Sequence, residues 1–98
     1  MGRGYDDRRI FQEREALIMH LTAEQVAAIR RVFALSQRKF AESIGVSDTY
    51  VYFVETGQKP ISSKVSAKVA EVYGIDAERL SEIMTIAKTY NLPDKVTG

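Results

Sequence analysis

The sequence lacks cysteine and tryptophan, and it has two prolines and one histidine in 98 residues. Without cysteine there is no disulfide framework and no thiolate metal site, and no redox compartment can be read from the chain. A single imidazole, His20, excludes a multi-histidine zinc centre. No apolar run approaches the ~20 residues that a membrane span needs. The N-terminus is charged and has none of the hydrophobic core of a signal peptide. The expectation is a soluble cytoplasmic protein with no metal, no cofactor and no membrane contact. Strong charge is missing too: the formal net charge is +1, which does not announce nucleic acid. Only its distribution is suggestive, because residues 22–75 hold seven Lys/Arg against five acids and residues 76–98 hold three against four.

What is present is an ordinary globular balance, 45% hydrophobic and 28% charged, in a length that makes one domain the default. Residues 1–9, MGRGYDDRR, read as an N-terminal arm. Residues 10–19, IFQEREALIM, are ambiguous between a short helix and partial alternation, and we favour the helix. Thr22 followed by Gln25 is a capping-box pattern that opens a helix over about 23–34, with Val26, Ile29 and Phe33 on one face. Ser36 caps a second helix whose buried side is Phe40, Ala41 and Ile44, and Gly45 stands where a left-handed stop belongs. Ser47 caps a third, with Tyr50, Val51 and Val54 inward, ending at Gly57 before Pro60. Ser62 or Ser63 starts a fourth, with Val65, Val69, Val72 and Tyr73 inside and Gly74 as its stop. Asp76 caps a fifth, which Pro93 ends. No strand pattern of comparable strength and no repeat appears. The expected fold is all-α: a compact five-helix bundle with an N-terminal extension over 1–21, a central domain over 22–75 and a C-terminal helix over 76–98.

The second and third helices are joined by very few residues, with a glycine at the stop. Such a connection crosses two helices steeply, and the small Ala41 permits the close approach. The third helix then keeps an outward face of Ser47, Asp48, Thr49, Tyr52 and Phe53. In a DNA-binding helix-turn-helix that face enters the major groove.

The stretch IRRVFALSQRKFAESIGVSDTYVYFVETGQKPISSKVSAKVAEVYGI, residues 29–75, resembles the Xre/Cro/CI-type helix-turn-helix family of phage and bacterial regulators, with a lambda-repressor-like fold. The resemblance rests on LSQ opening the second helix, FA and IGVS through the turn, YV and ETG in the third helix, and YGI closing the fourth. It covers roughly half the chain. It implies that Gln37 lies at the phosphate backbone and that Arg38 belongs to the DNA-binding surface, with Ser47, Asp48, Thr49, Tyr52 and Phe53 at or near base edges. Lys59, Ser62, Ser63 and Lys64 would meet phosphate across the groove. It further implies a buried ion pair between Arg30 and Glu55.

Several of these residues also have a plainer reading. Tyr52 and Phe53 fit a packed face against the N-terminal segment, Asp48 fits a carboxylate at the positive end of a helix, and Arg38 and Lys39 fit a solvated surface. Family members often carry Gln, Lys or Arg where this chain has Asp48, Tyr52 and Phe53, so readout would lean on apolar contact and shape. No nucleophile, metal cluster or phosphate loop is marked, and a non-enzyme is expected. The fifth helix carries Leu80, Ile83, Met84, Ile86, Ala87 and Tyr90, a stripe wide enough to predict a homodimer contact. The function expected is a regulator of double-stranded DNA, a homodimeric repressor of a palindromic operator. So small a bundle leaves no room for a sensor domain, which points to control by abundance, oligomerisation or a regulatory protein partner. The alternative is a helix-turn-helix reused to bind protein, as an antirepressor or adaptor.

Overall fold

The computed structural model describes residues 20–90, and within them the chain forms five α-helices and no strand. They are α1 (Ala23–Val32), α2 (Gln37–Ile44), α3 (Asp48–Glu55), α4 (Ser63–Tyr73) and α5 (Ala77–Tyr90). The arm over 1–9, the helix expected over 10–19 and the stop at Pro93 lie outside the described residues.

Every helix opens on a polar side chain that takes up a first-turn amide. Thr22 and Gln25 form the reciprocal capping box, at 3.1 and 3.0 Å. Ser36, Ser47 and Ser62 accept from the amides of Lys39, Tyr50 and Val65, and Asp76 accepts from Arg79 at 2.7 Å. A cap of this kind stabilises a helix by about 1 kcal/mol. The fourth helix therefore starts from Ser62, with Ser63 as its first helical residue.

The end of α2 sets the entry to α3. Gly45 has φ +75°, and the amides of Val46 and Gly45 close back on the carbonyls of Ala41 and Glu42. A Cβ on Gly45 would meet nothing within 4 Å, so its backbone conformation and not close packing calls for glycine. The end of α1 has the same closure without a glycine. The helix stops at Val32, two residues short of the expected boundary, and Ala34 takes φ 58°. The Ala34 and Leu35 amides bond the carbonyls of Arg31 and Arg30 at 2.9 and 3.0 Å. An L-residue in this region costs roughly 1–2 kcal/mol. The closure offsets that cost by satisfying two carbonyls and by turning Leu35 onto the core.

The core draws on all five helices. Val26 and Ile29 of α1, Phe40 and Ile44 of α2, Val51 and Val54 of α3, Val69 of α4 and Ile83 of α5 form one continuous cluster. Full burial of each such side chain contributes ~1.5–3 kcal/mol before entropy is charged against it. Two expectations are corrected. Phe33 is 40% exposed, its ring against Tyr73 at 4.9 Å; Tyr73 in turn stacks on Phe40. Val72 is exposed, because the inner face of α4 is centred on Ser66, Val69 and Ala70. Ser66 is drawn in as the acceptor for the Leu21 amide, at 3.0 Å, which a count of apolar residues cannot register. On α5, Ile83 is buried against α1, and Leu80, Met84 and Ala87 pack on the same core. These four residues serve the chain's own fold, leaving Ile86 and Tyr90 of the expected dimer stripe exposed.

Candidate nucleic-acid interface

The interface is organised by what α3 buries. Val51 and Val54 enter the core, and Glu55 turns inward at the last position of the helix. Arg30 of α1 meets it with both ends of a planar fork: Nε donates to Oε2 at 2.7 Å and Nη2 to Oε1 at 2.9 Å. The side chains are 2% and 6% exposed. Nη1 of Arg30 donates to the Leu35 carbonyl at 2.9 Å, so the pair also fixes the α1–α2 connection. Gln37 joins the same carboxylate, its Nε2 donating to Glu55 Oε1 at 3.1 Å. Since a carboxylate here only accepts, this bond sets which end of the amide faces inward and leaves one N–H of Gln37 for a partner outside.

The opposite side of α3 is open. Asp48, Thr49, Tyr52 and Phe53 are exposed, and four-residue spacing sets them in two adjacent rows, Asp48 with Tyr52 and Thr49 with Phe53. The two rings are tilted, 5.8 Å between centroids. Among the described residues the aromatic pair is not packed away. Ser47 is exposed as well, but its hydroxyl already accepts from the Tyr50 amide. Asp48 is the first residue of α3 and sits at its positive end.

Polar and cationic groups flank this face. On the α2 side Arg38 is exposed and 3.6 Å from Glu42, a loose pair one turn apart that contributes little. On the other side the connection over 56–62 folds back on α3. The amides of Gln58 and Lys59 both reach the Phe53 carbonyl, at 2.9 and 3.2 Å. Lys59 is exposed, with Nζ 5.7 Å from the Tyr50 ring centroid. Ser62 is occupied as the α4 cap, while Ser63 and Lys64 stand exposed on the first turn of α4.

Tyr50 makes a contact that the apolar pattern conceals. Its hydroxyl accepts from the Ser62 amide at 3.0 Å, twelve positions along, and ties α3 to the start of α4. The available signal was chemical: a tyrosine at a half-buried position needs a partner for its oxygen.

Two helices joined through Gly45, the second capped by Ser47 and open on one side, make a helix-turn-helix. A family model described as helix-turn-helix matches residues 26–80, and the chain belongs to that family, in its Xre/Cro/CI-type branch. The match takes in all of α2, α3 and α4, and the family is one of DNA-binding regulators. The chain is also 35% identical over 75 residues to a cyanate hydratase of Pseudomonas syringae pv. syringae (strain B728a), across 76% of this chain and 48% of that protein. It therefore spans about half the length of the curated relative it matches. No solved structure matches it. Among the described residues no cluster of metal-ligating side chains occurs, and no helix is long and apolar enough to cross a membrane.

Proposed function

We propose that the chain is a sequence-specific DNA-binding transcriptional regulator, a repressor that occupies a palindromic operator as a homodimer and blocks it sterically. The observation that carries this reading is the open face of α3, with Asp48, Thr49, Tyr52 and Phe53 exposed on a helix whose other side is locked into the core. Gln37 and Arg38 on one side, and Lys59, Ser63 and Lys64 on the other, supply the phosphate contacts that orient such a helix in the groove. A two-fold dimer sets two reading helices about one DNA turn apart, roughly 34 Å. With Ile83 buried, the surface left on α5 for a second copy centres on Ile86 and Tyr90, 39% and 70% exposed. The chain acts in this reading without cofactor and without catalysis, in the cytoplasm.

A second reading is favoured by the exposed acid and aromatics of α3 and by the near-neutral net charge. A helix-turn-helix of this sequence type then serves to bind protein, and the acid and aromatics of α3 meet a polypeptide. Mobility retardation on random and genomic duplexes at low and moderate salt separates the two readings. The first predicts complexes that weaken steeply with salt; the second predicts none. Consumption of cyanate by the purified chain would contradict both.

A further inference from the structure

The composition of the α3 face narrows what it can read. None of its exposed residues, Asp48, Thr49, Tyr52 and Phe53, is Arg, Lys, Asn or Gln. The paired hydrogen bonds that select guanine or adenine in the major groove are therefore unavailable. What remains is apolar contact, the single hydroxyls of Thr49 and Tyr52, which can make one hydrogen bond each but not a bidentate pair, and one strong acceptor. Tyr52 and Phe53 are 48% and 37% exposed, with centroids 5.8 Å apart, and they form an apolar step along the helix. Thr49 adds a methyl in the row of Phe53. The apolar group that base edges offer in the major groove is the C5-methyl of thymine, and 5-methylcytosine presents the same group at the same place. Asp48, in the row of Tyr52, accepts and needs an amino donor, which cytosine carries on N4 and thymine replaces with the acceptor O4.

Resting on the DNA-binding reading above, we infer that α3 recognises pyrimidine C5-methyl groups, and that Asp48 tilts the preference toward 5-methylcytosine, where methyl and amino donor sit on one base. The side chains that recognise these groups are not free to swing away as a unit, because Val51, Val54 and the Arg30–Glu55 pair hold the inner side of the helix.

The test uses the full chain and duplexes selected from random pools made with cytosine or with 5-methylcytosine. Selected sites are resynthesised with uracil for thymine, one position at a time, and with the methyl added to or removed from cytosine. Affinity is read by fluorescence anisotropy at fixed salt. Loss of a contacted methyl is expected to weaken binding about fourfold, the equivalent of ~0.8 kcal/mol for one buried methyl group. In Phe53→Ala or Tyr52→Ala that difference shrinks at the contacted position, and in Asp48→Ala the advantage of 5-methylcytosine over thymine disappears. Uracil sensitivity with no gain from 5-methylcytosine supports methyl reading with thymine as its source and overturns the role of Asp48. Uracil and unmethylated cytosine throughout the site with unchanged affinity overturn the inference while leaving DNA binding intact. Failure to bind any duplex, methylated or not, overturns both.

Discussion

The two faces of α3 invert the usual placement of side chains. The inner face buries charge, Glu55 against a fully buried Arg30, whereas the outer face leaves two aromatic rings half-exposed. A buried charge and an exposed apolar patch are the two departures from average burial that carry information. On the inside the ion pair adds direction more than stability. Its bonds join α1, α2 and α3 at one carboxylate and tie in the α1–α2 connection through the guanidinium, and a hydrophobic substitute could fill the space without specifying that arrangement. On the outside the rings cost the free protein solvation and contribute nothing to its core, which is the condition of a surface kept for contact.

This contrast can be broken from the inside first. Arg30→Met leaves Glu55 buried without its partner and is expected to cost roughly 3–5 kcal/mol, read by urea unfolding. The double substitution Arg30→Met, Glu55→Leu should regain much of that loss. Strictly additive losses would falsify the coupling.

The connection that presents the two faces gives a smaller effect. Gly45→Ala forces a Cβ into φ +75° and should cost ~1–2 kcal/mol. Ala34→Gly should stabilise by up to about 1 kcal/mol, since the same closure at φ 58° then carries no side-chain penalty. Thermal melts of both variants check the signs, and equal signs contradict the account of the two turns.

Tyr50 lies on the border between the faces. Tyr50→Phe keeps the ring beside Lys59 and removes the acceptor for the Ser62 amide, an expected loss of ~0.5–1.5 kcal/mol. Hydrogen exchange at Ser62 should quicken selectively. The least effect on stability belongs to the outer face: Phe53→Ala should change unfolding free energy by no more than about 0.5 kcal/mol while altering the preference among DNA sites.

Much of the fold could be read from local chemistry. Thr22 with Gln25, Ser36, Ser47 and Asp76 announce helix starts by side chains whose capping role depends on neighbours three residues away. Gly45 and Gly74 announce stops in the same way. The stop at Ala34 was hidden because its determinants are two amide bonds and the burial of Leu35, with no residue that prefers the left-handed region. Val72 was expected inside and is exposed, while Ser66 is buried because a distant amide, that of Leu21, recruits the serine. The α5 stripe was legible as apolar but not as to its partner. Whether Ile83 faces α1 or a second chain depends on how far α1 and α5 overlap, which helical spacing does not encode. At the site, the outward residues of α3 follow from the buried positions of Val51 and Val54. The bonds of Gln37 to Glu55 and of Tyr50 to Ser62 arise only when separate elements meet.

The most direct measurement of the central claim is the affinity of the Tyr52→Ala, Phe53→Ala double variant for a selected duplex, with its melting temperature recorded beside it. If the outer face of α3 is the reading surface, binding falls by at least about tenfold, the equivalent of ~1.4 kcal/mol, and the melting temperature stays close to that of the parent. Parent-like affinity in a folded double variant contradicts the claim.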